Sequence, residues 1–263
     1  MSVADVFAKA KAEDRAALIG YLPAGFPTVD GGKATLKAMV EAGCDLVEVG
    51  LPYSDPVMDG PTIQAAADEA LANGFKIKHL LETVQTISDA GATAVVMTYW
   101  NPVFAYGVER FARDLAAAGG HGLITPDLVP DEAADWIAAA TEHSLDRIFL
   151  VAPSSTEERI AMTTAQSSGF VYATSIMGVT GARDAVSSAA PEIVARTRKH
   201  TDLPIGVGLG VRSGVQAAEV AGYADGVIVG SAFVSAARES EAAVRKLTEE
   251  LAAGVRGQVP ATA

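Results

Sequence analysis

The sequence is short of several features that would point to particular classes of protein. It has one cysteine, Cys44, so no disulfide can form within the chain and a reducing compartment is expected. No apolar run approaches the roughly 18 residues that a membrane-spanning helix needs. Residues 1–14 mix charged and apolar residues in a helical pattern, without the apolar centre of a secretory signal. These absences predict a cytoplasmic protein with no membrane partner.

Basic residues and cofactor motifs are scarce as well. Lys and Arg number 20 against 32 Asp and Glu, which gives a net charge of −12 and disfavours nucleic acid as a partner. A small phosphorylated ligand is still compatible with this charge, because backbone amides can bind it. The sequence contains no GxxxxGK[ST], GxGxxG or GxSxG motif. Its four histidines are scattered without metal-ligand spacing, so we expect no metal and no cofactor in this chain.

What the sequence does contain is a regular alternation of short apolar runs and amphipathic stretches. Eight such units without a break in composition predict one domain over residues 1–263, an α/β protein folded as a single (β/α)8 TIM barrel. A doubly wound open sheet is the structural alternative. The predicted strands are Ala17–Leu22, Asp45–Leu51, Thr93–Tyr99, Gly122–Asp127, Asp146–Ala152, Phe170–Ser175, Pro204–Gly210 and Asp225–Gly230.

Additions to the basic barrel are also predicted. They are an N-terminal helix over residues 1–14, an extra helix Thr62–Asn73 after the second strand, and a frayed tail over residues 258–263. Two connections, Pro52–Pro61 and Ile176–Ala190, are longer than the usual βα loop. Both belong at the carboxyl ends of the strands, where barrel enzymes have their active sites. The second is predicted to be a lid, although an insertion without a function is an alternative.

Glu48 is the most informative residue, because it interrupts an otherwise apolar strand. In DLVEVGL, Val47, Val49 and Leu51 share the face expected to lie under helices, so Glu48 points into the barrel. Burial there would raise its pKa and suit it to proton transfer near neutral pH. The alternative is an ion pair with a buried Lys or Arg, but no other predicted strand interior offers one.

Other polar residues are ambiguous on local sequence alone. Asp59, in MDGPTIQ, suits a turn as well as catalysis, and Asp55, in SDP, is by default a turn residue. Tyr172 is on the inward face of the sixth strand, where it is either a core aromatic or a neighbour of Glu48. Asp127 ends the fourth strand and is best explained as a helix cap.

Glycines mark the last two strands. Gly206, Gly208 and Gly210 alternate along one face of the seventh strand, which indicates close approach by a ligand or by a neighbouring strand. The eighth strand ends in Gly230-Ser231 and leads directly into a helix. Loops after strands seven and eight, together with a helix N-terminus, form the usual phosphate site of such barrels. A purely structural origin of these glycines is the alternative.

The segment VEVGLPYSDPVMDGPTIQ is long and specific, and weaker segments precede and follow it between Tyr21 and Ser231. In their content and order, these segments resemble the α subunit family of tryptophan synthase. The lid lacks the arginine that some members carry before GVTG, and Leu22 and Leu209 replace aromatic residues of some relatives. The segments that carry it are YLPAGFP, VEVGLPYSDPVMDGPTIQ, YWNPVFAYG, TPDLVP, GVTGAR, GVGLGVRSG and VGSA.

The resemblance implies a reversible retro-aldol cleavage of indole-3-glycerol phosphate to indole and glyceraldehyde 3-phosphate. Glu48 would be the general acid–base, Asp59 would bind the indole N–H, and Tyr172 would position the glutamate. Thr180 in the lid would approach Asp59 on closure. Two further sets are implied. The phosphate would bind to backbone amides of Gly181, Leu209, Gly210, Gly230 and Ser231, and the indole pocket would be lined by Leu22, Met97 and Tyr99.

The resemblance also implies a partner. The family works with a pyridoxal-phosphate β subunit in an α2β2 complex, so that cofactor would belong to the partner and not to this chain. Asp55, Pro56 and the Asn101–Tyr106 loop, including Pro102, match regions that face the β subunit. The alternatives are another phosphate-binding TIM-barrel enzyme, such as an isomerase or indole-glycerol-phosphate synthase, or a non-catalytic regulatory subunit. The synthase typically needs a lysine inside the barrel, and no predicted strand has one.

Overall fold

Parallel β-strands form the centre of the fold. The computed structural model describes residues 1–174, 189–208 and 210–258. Within them the strands follow the sheet order β5-β4-β3-β2-β1-β9-β8-β7-β6. Their bounds are β1 Ala17–Pro23, β2 Leu46–Gly50, β3 Ala94–Met97, β4 Gly122–Ile124, β5 Asp146–Ile148, β6 Leu150–Val151, β7 Val171–Thr174, β8 Ile205–Gly208 and β9 Gly226–Val229.

The predicted fifth strand is divided in two. Phe149 separates β5, which pairs with β4, from β6, which pairs with β7. One physical strand therefore joins both ends of the sheet and closes it into an eight-membered barrel. The (β/α)8 prediction is confirmed and the open-sheet alternative is excluded. Among the described residues, most predicted strands are longer than the observed ones at one end or both, because their terminal residues already belong to the connecting loops.

Helices surround the barrel. None of those in the described ranges is both long and apolar enough to cross a bilayer. The predicted additional helices are present as α1 and α3. The bounds are α1 Val3–Ala12, α2 Val29–Ala42, α3 Pro61–Ala72, α4 Ile77–Asp89, α5 Trp100–Tyr106, α6 Val108–Ala117, α7 Ala134–Glu142, α8 Glu157–Gln166, α9 Ala189–Thr197, α10 Gly214–Ala221, α11 Ser231–Glu239 and α12 Glu241–Val255, with a 3₁₀ turn at Pro130–Glu132.

The N-terminal helix α1 closes the bottom of the barrel. Ser2 caps it through a reciprocal pair of hydrogen bonds with Asp5, and its apolar side chains pack against the inward residues of the strands. The rings of Phe7 and Phe170 lie 5.3 Å apart between centroids. Because this end is filled with apolar side chains, the open end at the carboxyl termini of the strands is left for a ligand.

Alternation along each strand separates two apolar layers. On β1, Ala17 and Ile19 belong to the inner cluster, whereas Leu18 and Leu22 belong to the outer cluster under the helices. Every residue of β1 is buried, as expected for a parallel strand covered on both faces. The same alternation turns Tyr21 inward, at the open end.

Candidate active site

A cavity of about 850 Å³, including its open mouth, occupies the carboxyl end of the barrel. Its wall combines residues of the inner strand faces with residues of the loops that follow them. It has an acidic side, a tyrosine on each flank and a glycine-rich side. The lining residues are Tyr21, Glu48, Met58, Asp59, Ile63, Met97, Leu150, Tyr172, Thr174, Gly208, Gly210, Ile228, Gly230 and Ser231.

Glu48 lies at the floor of the cavity on β2. It is only 1% exposed, and its Oε1 has no hydrogen-bond partner in the described part of the chain. Burial raises the pKa of Glu48 to about 8. No Lys or Arg of the described residues forms an ion pair with Glu48. For that part of the chain, the alternative that Glu48 belongs to a buried ion pair is therefore excluded. A carboxyl in this environment is protonated at neutral pH and can both give and take a proton.

Asp59 lies above Glu48 in the loop that leads to α3. Gly60 is the N-cap of this helix and Pro61 its first residue, and Gln64 Nε2 donates a 2.8 Å hydrogen bond to the carbonyl of Asp59. Partial burial raises the pKa of the Asp59 carboxyl, and a hydrogen bond from the Tyr99 side chain lowers it in part. Asp59 therefore belongs to the turn before α3 and also lines the cavity.

Two tyrosine hydroxyls reach into the cavity over glycines. A β-carbon at residue 50 would overlap the hydroxyl of Tyr21, and one at residue 208 would overlap that of Tyr172. Neither hydroxyl has a hydrogen-bond partner within the ranges that the structure describes. Burial raises the pKa of both phenols, helped by the charges of Asp59 and Glu48. The charge of Asp59 contributes more at Tyr21, and the charge of Glu48 contributes more at Tyr172.

The glycine-rich side lies at the end of β9 and after β8. Gly210, Gly230 and Ser231 line the cavity there, and α11 begins at Ser231 with no side-chain cap at Gly230. The first N–H groups of this helix and its dipole suit an anion. Gly181, Leu209 and Thr180, predicted for phosphate binding and closure, lie outside the described residues, as does most of the predicted lid.

The predicted indole-pocket residues do not all lie at the cavity. Met97 lines it, but Leu22 is fully buried in the outer apolar cluster. The prediction for Leu22 was wrong because strand alternation turns Tyr21, its neighbour, inward. Tyr99 is not among the lining residues either; its hydroxyl accepts a 3.0 Å hydrogen bond from the Met58 N–H.

Sequence reasoning missed several cavity residues. Tyr21 could have been found by extending to β1 the alternation argument used for Glu48, because the two are register partners. Leu150 and Ile228 follow from the same argument on later strands. Met58 and Ile63 come from the loop and from α3, for which the sequence carries no comparable signal. Gly206 and Gly208 leave room for side chains of the barrel interior, and a β-carbon at Gly206 would lie 3.1 Å from Phe170 and Ile228.

The residues predicted to face a partner lie beside this mouth. Asp55 and Asn101 are exposed and Pro56 and Pro102 partly exposed, on the loop after β2 and on α5. Next to them in sequence, Val57 and Phe104 are 70% and 67% exposed, which is unusual for apolar side chains. Asp127 accepts a 2.9 Å hydrogen bond from the Trp100 N–H and so caps α5, the helix after the neighbouring strand.

Comparisons with known proteins agree with this geometry. A family described as "Tryptophan synthase alpha chain" matches residues 7–261. A protein of that name from Nocardia farcinica is 67% identical, covering 99% of this chain and 98% of that protein. One from Mycobacterium marinum is 66% identical, covering 95% and 93%. A solved structure of Mycobacterium tuberculosis tryptophan synthase has 62% identity and a TM-score of 0.94, covering 97% of this chain and 98% of that one. This chain belongs to the tryptophan synthase alpha chain family.

Proposed function

We propose that this chain is a lyase that reversibly cleaves indole-3-glycerol phosphate to indole and D-glyceraldehyde 3-phosphate. The observation that carries the proposal is the buried Glu48, whose Oε1 has no hydrogen-bond partner among the described residues, in a cavity with Asp59 on one side and a helix N-terminus on the other. A substrate with an apolar ring, a hydroxyl chain and a phosphate would satisfy these three features together.

Glu48 would act twice in the cleavage direction. Its protonated carboxyl delivers a proton to C3 of the indole ring, which becomes positively charged. The resulting carboxylate then takes the proton of the hydroxyl on the side-chain carbon attached to C3. As that carbon–carbon bond breaks, its electron pair returns to the ring and the hydroxyl carbon becomes the aldehyde. The Glu48 pKa of about 8 keeps the group protonated at the start of the cycle at neutral pH.

Asp59 would stabilise the charge that develops on the ring. Its carboxylate accepts the indole N–H hydrogen bond, which strengthens when C3 is protonated and the ring becomes cationic. A fixed carboxylate in a cavity with little water acts on charge that is present mainly in the transition state. Tyr172 would hold Glu48 and the substrate in position, because its hydroxyl lies in the cavity without a hydrogen-bond partner among the described residues.

The phosphate would bind at the glycine-rich side. Gly210, Gly230 and Ser231 line that end, and the start of α11 supplies N–H groups and a favourable dipole. Gly181 and Leu209 would complete the site, and Thr180 would approach Asp59 when the substrate is bound. This arrangement separates the charged end of the substrate from the carboxyls that carry out the chemistry.

The indole would pass to a tryptophan synthase β chain in an α2β2 assembly. The exposed apolar side chains Val57 and Phe104, beside Asp55 and Asn101, support an interface next to the cavity mouth. Pro56 and Pro102 would lie in the same interface. Pyridoxal phosphate would be bound by the partner, and this chain would catalyse its own reaction with the carboxyls of Glu48 and Asp59.

Indole release from indole-3-glycerol phosphate, with and without a β chain, tests this proposal. We expect turnover by the isolated chain and faster turnover with the partner. Absence of turnover in both conditions would contradict the catalytic function and favour a regulatory subunit. Turnover of other phosphorylated sugars, but not of this substrate, would favour another enzyme of the same fold.

A further inference from the structure

Tyr99 lies at the end of β3, beneath the loop that carries Asp59. It is 5% exposed and is not among the residues that line the cavity. Its hydroxyl is directed at two consecutive residues of the loop, Met58 and Asp59. The loop that carries the second carboxyl of the cavity is therefore held in part by the phenol of Tyr99.

Within the described part of the chain, this phenol forms its hydrogen bonds with those two residues. The Met58 N–H donates to the Tyr99 oxygen at 3.0 Å, and the Asp59 N–H also donates to it. The phenolic O–H in turn donates to the Asp59 carboxyl. A tyrosine hydroxyl has one donor and two acceptor positions, so its capacity is fully used by this segment. One Asp59 oxygen is held in this way, and the carboxylate can offer its other oxygen to a ligand.

The side chain of Tyr99 is itself held in place by neighbouring residues. The ring of Tyr53 lies against that of Tyr99, with 5.5 Å between centroids. The Tyr53 hydroxyl accepts a 3.1 Å hydrogen bond from Asn101 Nδ2 on α5. Tyr99 is also the residue immediately before α5, whose first N–H is capped by Asp127. The position of the hydroxyl is thus fixed by β3, by the cap of α5 and by an aromatic neighbour.

We propose that Tyr99 is a positioning residue for the reaction, which fixes the Asp59 carboxylate so that one oxygen faces the indole N–H. This inference rests on the proposed function of Asp59. Tyr99 does not touch the substrate and acts only through Asp59. The Tyr99 hydrogen bond also lowers the pKa of that carboxyl, against the rise that burial causes.

The test is Tyr99→Phe, which removes the hydroxyl and keeps the ring. Indole release is measured without a partner chain across the pH range for four proteins: the wild type, Tyr99→Phe, Asp59→Asn and the double variant. We expect kcat of Tyr99→Phe to fall about ten- to hundredfold, the effect of losing a hydrogen bond to a charged group. The acidic limb of its pH profile should move to higher pH, since the pKa of Asp59 rises. In the Asp59→Asn background the same change should have little further effect.

Tyr223→Phe is the matched control. The Tyr223 hydroxyl is also buried, but it lies between α10 and β9, away from the cavity, and has no hydrogen-bond partner among the described residues. This variant should keep the wild-type kcat and pH profile. Thermal unfolding of each variant shows whether the fold is intact. If kcat of Tyr99→Phe falls while its pH profile stays unchanged, Tyr99 has a structural role only.

The outcomes separate the two proposals. If Asp59→Asn loses activity and Tyr99→Phe keeps both kcat and the acidic limb, the positioning role is wrong and the function of Asp59 stands. Full additivity of the two changes would also overturn the role of Tyr99. If Asp59→Asn itself keeps full activity, the proposed function of Asp59 fails, whatever Tyr99→Phe does.

Discussion

The hydroxyl of Tyr172 lies so close over the backbone of Gly208 that no β-carbon fits between them. A β-carbon at residue 208 would overlap the hydroxyl and lie 2.9 Å from the ring carbon that bears it. Thr174, two residues along β7, is the register partner of Gly208, so the contact spans two neighbouring strands. This glycine is therefore required by the shape of the cavity wall, and the hydroxyl that it admits faces the cavity.

Gly208→Ala should displace the Tyr172 ring and lower activity. We expect kcat for indole release to fall about tenfold, the effect of misplacing a group by a fraction of an ångström. Adding Tyr172→Phe removes the overlapping oxygen and should partly restore thermal stability, but not kcat, because the hydroxyl proposed to position Glu48 is then missing. Steady-state kinetics with thermal unfolding measures both effects. Normal activity of Gly208→Ala would show that the position of Tyr172 does not matter.

The pH dependence of stability should reveal the buried carboxyl of Glu48. Its folded-state pKa of about 8 lies above the ordinary 4.5, so the folded state binds the proton more tightly. The resulting stabilisation is complete below pH 4.5 and is lost as the pH rises toward 8. By pH 9 the loss is on the order of 4 kcal/mol.

Glu48→Gln, which cannot ionise, should therefore gain stability relative to the wild type as the pH rises from 5 to 9. Denaturant unfolding at several pH values measures the difference. Glu192→Gln, at an exposed position of α9, controls for the loss of one negative charge. A constant difference between wild type and Glu48→Gln across this range would mean that Glu48 is not buried in its neutral form.

Ser231→Asp should weaken phosphate binding. The new carboxylate would stand at the start of α11, where the substrate phosphate is proposed to bind, and would repel it. We expect KM for indole-3-glycerol phosphate to rise more than tenfold with a smaller change in kcat. Ser235→Asp places the same charge one turn along the helix, on the exposed side. If both variants change KM equally, the phosphate does not bind at this helix N-terminus.

Phe104→Ser should weaken binding of the β chain without changing basal indole release. Its ring is 67% exposed, and burying an aromatic ring in an interface contributes about 2 kcal/mol, or some thirtyfold in Kd. Val215→Ser, on α10 across the barrel, removes a similar exposed apolar group as a control. Equal affinities of both variants for the partner would exclude Phe104 from the interface.

The sequence was most informative where a simple physical rule applied. Strand alternation placed Glu48 and Tyr172 inward, and turn and cap residues indicated the additional helices. The same rule identifies Tyr21 once the strand bounds are known, so assigning Leu22 to the pocket was an avoidable error. Boundaries were less predictable, because the division of the fifth strand at Phe149 depends on barrel closure and not on local propensity.

Contacts between distant segments could not be derived from the sequence. The alternation of Gly206 and Gly208 indicated a close approach but not by what, and the structure shows that side chains of the barrel occupy the space. Tyr99 was expected to line the pocket, yet its hydroxyl is used by the loop at Met58 and Asp59. Such pairings depend on the exact height of loops above the strands, which no residue pattern encodes.

The central claim is that the buried carboxyl of Glu48 moves the protons in carbon–carbon cleavage. Indole release by Glu48→Gln, compared with the wild type on the same substrate, tests it most directly. The account predicts that kcat falls by at least about a thousandfold, since general acid–base catalysis contributes on that scale. Substrate binding, measured by equilibrium titration, should persist. Near-normal turnover by a folded Glu48→Gln chain would contradict the account.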